Sequence, residues 1–224
     1  MLDYGFYNMD CMEGMKQFPD KFFDLAIVDP VYGDVKQGGY MKNAESTARL
    51  AKAIHYNTAL WEQEKTPKEY FEELFRVSKN QIIWGGNYFV KEIGKNSQCW
   101  IVWDKQHPEG VAFADCELAY TSFDCATRIF RFLWNGMLQE DMKNKEQRIH
   151  PTQKPVALYK WLLNRFSKPD DIILDTHVGS ASSLVACRET GHKYVGFEID
   201  SDYYAKAKKR LDAAENQVNL FDLM

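Results

Sequence analysis

A mainly parallel α/β sheet with helices on both faces is the fold class this sequence predicts. Short apolar runs, Leu25-Ala26-Ile27-Val28 and Ile172-Ile173-Leu174, have no polar break, as strands buried on both faces require. Strand-like and helix-like segments alternate at both ends of the chain, which implies crossover connections between parallel strands. At 224 residues and 45% hydrophobic content, the chain can enclose one core, so residues 1–224 are expected to form a single domain.

The elements follow in order. The first third reads as strand 5–8, helix 11–18 and strand 25–28, with Pro19 opening the short connection between the last two. From Gly33 to about Glu64 the chain is polar and aperiodic, and a loop of that length in a compact domain is usually functional. Thr66-Pro67-Lys68-Glu69 has the form of a capping box with proline at the first helical position, predicting a helix through Val77. Segments 81–84, 99–103, 117–122 and 128–132 are rich in β-branched and aromatic residues and read as strands, the last two as a hairpin. A helix from Pro155 to Phe166, a strand over 172–174, a helix 182–190 closed by Gly191 and a strand 194–197 follow. Ser201 or Asp202 then caps a last helix ending near Ala214.

Composition narrows the function classes. No window approaches the roughly 18 apolar residues of a membrane-spanning helix, and the first residues lack a basic-then-apolar leader, so a cytoplasmic protein with no membrane partner is expected. Five scattered cysteines without a Cys-x-x-Cys pair support neither a disulfide framework nor a metal site. The net charge of -4 argues against non-specific nucleic-acid binding, yet basic residues cluster in two segments, Lys36 to Lys52 and Arg128 to Lys154.

Two motifs point to chemistry. Asp29-Pro30-Val31-Tyr32 follows the first apolar run and sets a carboxylate, a rigid proline and an aromatic ring at a strand end, the parts needed to grip an amino group on a planar ring. Asp175-Thr176-His177-Val178-Gly179-Ser180 follows the second run. Its glycine permits close backbone approach to a ligand at a helix start, and Glu198, ending the next strand, suits a ribose diol. Neither the dinucleotide Gly-x-Gly-x-x-Gly pattern nor a phosphate loop is present, so a nucleoside without a 5′ phosphate fits better than a pyrophosphate, with S-adenosylmethionine the obvious member of that class.

These motifs, with His150-Pro151-Thr152-Gln153-Lys154-Pro155 between them and Gly196-Phe197-Glu198-Ile199-Asp200 after them, resemble the amino-group DNA methyltransferases of the β arrangement. Trp103-Asp104-Lys105 and the segment from Phe113 to Tyr120 look most like the small, phage-type adenine methylases of that group. The resemblance covers nearly the whole chain. It implies a Rossmann-like S-adenosylmethionine-dependent methyltransferase fold. Asp175, His177, Gly179 and Ser180 would line the cofactor, Glu198 would take its ribose hydroxyls, Asp10 would sit near its adenine, and Thr152 and Lys154 near its methionine end. Asp29 would border both cofactor and base.

For catalysis the resemblance implies that Asp29 and the Pro30 carbonyl accept the two hydrogens of an adenine N6 amino group, freeing its lone pair, while Tyr32 stacks on the flipped-out base. No metal is required. Asp29 favours adenine, because relatives acting on cytosine N4 usually carry Ser there; cytosine N4 methylation remains the alternative. A second alternative is a homologue with weakened chemistry, since Val31 stands where the family usually has Pro and Ala181 where Gly is common, the Ala181 methyl either crowding the ligand or favouring the helix start. Double-stranded DNA is the expected partner, with a homodimer left open. Lys36, Lys42 and Arg49 in the 33–64 segment, together with Arg131 and with Lys143, Lys145 and Arg148 in the 135–148 segment, are the candidate phosphate contacts.

Overall fold

The computed structural model describes residues 1–33, 65–107, 114–135 and 138–221. In chain order the elements are β1 (Gly5–Asn8), α1 (Cys11–Met15), β2 (Phe23–Val28), α2 (Lys68–Val77), β3 (Ser78–Trp84), α3 (Val90–Ile93), β4 (Ile101–Asp104), β5 (Cys116–Thr121) and β6 (Arg128–Arg131). The short pair β7 (Trp134–Asn135) and β8 (Leu138–Gln139) comes next, then α4 (Val156–Phe166), β9 (Ile172–Asp175), α5 (Ser182–Glu189), β10 (Lys193–Glu198) and α6 (Ser201–Phe221). Eight strands form one sheet in the order β1-β10-β9-β2-β3-β5-β4-β6. Only β5 runs against the others in that sheet, pairing antiparallel with β3 and β4. The mainly parallel, Rossmann-like sheet therefore stands.

Period-2 alternation sends successive strand residues to opposite faces. On β2, Ala26 and Val28 pack with Tyr70, Phe71 and Leu74 of α2, while Leu25 and Ile27 pack with Leu158, Leu162 and Leu163 of α4. The neighbouring strands split in the same way, with Ile83 and Leu174 facing α2 and Ile82 and Ile173 facing α4. Helices α5 and α6 add a smaller cluster around Leu184, Ala207 and Leu211. Each central strand thus buries both faces, which explains its unbroken apolar sequence. Among the described residues, no helix is long and apolar enough to cross a membrane.

Several local expectations are corrected. Thr66 does not cap α2: its hydroxyl and its N–H both donate to the Val31 carbonyl, each at 3.0 Å, and Pro67 is the cap residue, just outside the helix. Helix α1 stops at Met15, where Arg76 binds the Met15 and Phe18 carbonyls. β5 and β6 do not form a hairpin, because β4 lies between them and pairs parallel with β6. Asp200, rather than Ser201 or Asp202, caps α6 by accepting from Asp202 N and Tyr203 N at 2.9 Å, and the helix runs on to Phe221. The candidate loop from Gly33 to Glu64, with Lys36, Lys42 and Arg49, lies outside the described residues beyond Gly33.

The turn after β3 meets β5 without space for a side chain. A Cβ at Gly86 would lie 2.5 Å from Tyr120 Cβ and 2.7 Å from its backbone N, neither of which can rotate away. Gly86→Ala is expected to destabilise the protein by about 1–3 kcal/mol, read as a lower urea midpoint; an unchanged midpoint would contradict this packing.

Candidate active site

All strands of the large sheet except β5 point their carboxyl ends to one edge. β2 leads through α2 to β3 on one side, whereas β9 leads through α5 to β10 on the other. β2 and β9 are adjacent, with Leu25 paired to Ile173 and Ala26 to Leu174. They form the topological switch point, where two diverging turns leave a crevice. A cleft of about 690 Å³ opens there, lined by the turns after β1, β2, β9 and β10 and by the 150–154 segment. Both sequence motifs meet in it.

The residues from Asp29 to Tyr32 form one wall. The Tyr32 hydroxyl donates to Asp29 Oδ1 at 2.6 Å, and its ring stacks on Tyr88 with centroids 5.1 Å apart. Burial first, then the Asp29 charge, holds the Tyr32 phenol well above its ordinary pKa, so it stays the donor. Gly85, at φ +65°, is required behind this ring, because a Cβ there would overlap it. The Pro30 carbonyl accepts no hydrogen bond from the described residues, whereas the Val31 carbonyl is doubly occupied by Thr66. Val31 thus holds the turn through Thr66, without the constraint that a proline at this position would supply.

Lys154 forms the floor. Its side chain is 3% exposed, with Nζ 2.5 Å from Asp29 Oδ2 and 3.1 Å from Glu117 Oε2. Glu117 reaches the site because β5 runs antiparallel, bringing its amino end to the edge where the other strands finish. Its second oxygen pairs with Lys105 at 2.5 Å. Burial alone would lower the Lys154 pKa, but Asp29 and Glu117 outweigh it and hold the ammonium above its ordinary value. Burial likewise opposes ionisation of Glu117, yet Lys154 and Lys105 bring it below the usual range.

The opposite wall is the turn after β9. Gly179 has φ +54°, where a side chain is strained, and its N–H donates to Glu198 Oε2 at 2.8 Å. Glu198 Oε1 accepts from Asp200 N at 2.9 Å, and each oxygen keeps a second lone pair for a diol. Asp10 lines the same cleft while capping α1 through Met12 N and Glu13 N. His177, Ser180 and Thr152 also line it. Asp175 does not: it lies behind the turn, 2% exposed, accepting from the Ser183 hydroxyl and from His177 N. Its part is to shape the turn. The Ala181 methyl also points away, into the cluster of Val178, Leu184 and Leu211, so it does not crowd the cleft.

His150 and His177 line the cleft and pack against aromatic rings. Burial pushes His150 and His177 down to about 4. His150 packs edge-on against Tyr203 at 4.4 Å and His177 against Tyr70 at 5.3 Å. Among the basic candidates, Lys143 and Lys145 are exposed on the segment leading to His150, held from below by Glu146, which binds Val156 N and Arg210. Arg148 is half-buried over the Trp134 ring at 4.8 Å. Arg131, exposed on edge strand β6, is four strand positions from β2, roughly 19 Å across the sheet, and is not brought to the cleft.

Comparison with known proteins bears on this cleft. A DNA methylase family model, covering N6- and N4-specific enzymes, matches residues 95–209. The type II methyltransferase M.HpaI of Haemophilus parainfluenzae is 38% identical over 99% of this chain and 78% of its own length. The chain belongs to the N6/N4 DNA methylase family. The type II methyltransferase M.HinfI of Haemophilus influenzae is 26% identical over 96% of this chain and 70% of its own length. A solved structure of TTHA0409 of Thermus thermophilus, described as a "putative DNA modification methylase" and complexed with S-adenosyl-L-methionine, shares the fold with a TM-score of 0.59. It is 17% identical over 95% of this chain and 96% of that one. The chain is accordingly a DNA methyltransferase dependent on S-adenosylmethionine. Its cleft fits that cofactor: the left-handed backbone that Gly179 permits admits close approach, and Glu198 and Asp10, at the ends of adjacent strands β10 and β1, offer acceptors.

Burial raises Asp175 to about 7, against the downward pull of Ser183 and the His177 N–H. Because this folded value exceeds the unfolded one near 4, protonation favours the native state; the contribution is full below about pH 4 and lost as pH rises through 7. The stability of the wild type minus that of Asp175→Asn should therefore fall by on the order of 2–4 kcal/mol between pH 4 and pH 8. Urea titrations at both pH values check this, and a constant difference would contradict it. Ala181→Gly should leave cofactor affinity within about twofold by calorimetry, because a methyl buried in the α5–α6 cluster makes no contact that cofactor binding changes.

Proposed function

We propose that the chain methylates the N6 amino group of adenine in double-stranded DNA. The observation that supports this most is the Asp29 carboxylate at the switch point, with Oδ2 held by Lys154 and Oδ1 by a hydroxyl that a substrate amine can replace. An aromatic amine is a poor nucleophile because its lone pair is delocalised into the ring. Acceptors on both of its hydrogens draw the nitrogen toward tetrahedral geometry, and Asp29 Oδ1 with the Pro30 carbonyl are the two acceptors. When bound, S-adenosylmethionine supplies an electrophilic methyl on a sulfonium.

Glu198 and Asp10 hold the nucleoside part of the cofactor, the Gly179 turn covers it, and Thr152 lies toward the methionine end. Lys154 acts mainly on Asp29 in this reading. The target base enters flipped out of the duplex, against the Tyr32 ring. Lys143, Lys145 and Arg148, with Lys36, Lys42, Arg49 and Arg131, are proposed to position phosphates, so their loss should weaken binding uniformly across sequences. Adenine is preferred to cytosine because position 29 carries a carboxylate.

Unmethylated DNA incubated with the protein and labelled cofactor, then digested to nucleosides, decides the base. Label in N6-methyladenine is the expected result; label in N4-methylcytosine would overturn the choice of base, and no label despite cofactor binding would overturn the reading. Asp29→Ala should reduce transfer at least about hundredfold while cofactor affinity, measured by calorimetry, stays within a few fold.

A further inference from the structure

We infer that Glu117 is a positioning residue for methyl transfer, acting through Lys154 on Asp29. This rests on the proposed role of Asp29. Asp29, Lys154, Glu117 and Lys105 form a continuous chain of alternating charge, with contacts of 2.5, 3.1 and 2.5 Å. The formal charges cancel across the four groups. Lys154 is buried at the junction and divides its charge between two carboxylates.

That division has a consequence for Asp29. A buried ammonium paired with one carboxylate alone would concentrate its field on Asp29 and weaken that oxygen pair as an acceptor for the substrate amine. Glu117 draws part of that field and fixes Nζ against Asp29 Oδ2, leaving Oδ1 turned toward Tyr32 and the cleft. Lys105 in turn neutralises Glu117, lying 5.2 Å from the Trp103 ring. Glu117 itself is not among the residues that line the cleft, so its effect passes through Lys154.

The charged groups acting on Lys154 are Asp29 after β2 and Glu117 on β5 with Lys105 behind it, and His150 on its own segment feels the ammonium; Tyr159 of α4 and Tyr32 act on Asp29 and Glu117. The Trp84 ring of β3 lies 5.5 Å from Nζ and carries no charge. Of these, only Asp29 and Glu117 hold the ammonium form. Removing the Glu117 charge removes one of the two interactions that hold the ammonium, and so lowers the Lys154 pKa.

The test compares Glu117→Gln and Glu117→Asp with the wild type, as full chains, on unmethylated DNA. Glu117→Gln should lower kcat at least about tenfold with KM for S-adenosylmethionine within about twofold, and should introduce an alkaline fall in kcat absent from the wild type below pH 10. Glu117→Asp, which keeps the charge, should recover part of kcat and remove that alkaline limb. Independently of turnover, NMR of isotope-labelled lysine side chains should show Lys154 titrating about one pH unit or more lower in Glu117→Gln. Wild-type kcat and an unmoved Lys154 titration in Glu117→Gln would overturn the inference. If the wild type labels cytosine, the reading of the base fails while this comparison stands on whichever base is labelled. If the wild type transfers nothing, the lysine titration still decides whether Glu117 controls Lys154.

Discussion

The site depends on one buried cation. Lys154 is removed from water at the junction of three segments that are far apart in sequence, ending at Asp29, Glu117 and Lys154 itself. Desolvating an ammonium costs several kcal/mol, and only close, well-placed carboxylates offset it. Two are supplied, and they outweigh the burial, as the raised pKa of Lys154 reflects. The His150-to-Pro155 segment is thereby pinned across the carboxyl ends of β2 and β3, forming the floor of the cleft.

Sheet topology makes that arrangement available. The reversal between β2 and β9 opens the crevice, and β5, antiparallel to its neighbours in the large sheet, returns an acidic side chain to the edge that parallel strands reach only at their ends. Two turns then divide the work. The turn after β2 presents Asp29 and Tyr32, and the turn after β9 presents backbone, with Glu198 at the end of neighbouring β10. Asp175, buried and raised in pKa, is a structural acid whose hydrogen bonds fix the second turn. Ala181 carries a left-handed φ of +62°, a strain of about 1 kcal/mol, offset in part by the burial of its methyl among α5 and α6.

What the sequence made legible was local. An apolar run ending in Asp-Pro and a glycine turn ending a second run are both readable, because strand burial and positive φ leave direct marks on residue choice. The Thr66 capping box failed for a related reason: the motif was present, but Thr66 is tied by its hydroxyl and its N–H to the Val31 carbonyl, 35 residues away, and Pro67 takes the cap position instead. The strands over 117–122 and 128–132 were recognisable individually, yet nothing in either showed that β4 would lie between them. Glu117 went unassigned on the same account, since its place at the site is a property of strand order. The cap of α4 is equally non-local, with Glu146 serving Val156 N from ten residues upstream.

Asp29 and Lys154 should be energetically coupled rather than merely adjacent. A double-mutant cycle on unfolding free energy, with Asp29→Asn, Lys154→Met and the pair together, measures that coupling directly. A coupling energy of at least about 1 kcal/mol is expected, with the double variant less destabilised than the sum of the singles. Additivity within about 0.5 kcal/mol would contradict it.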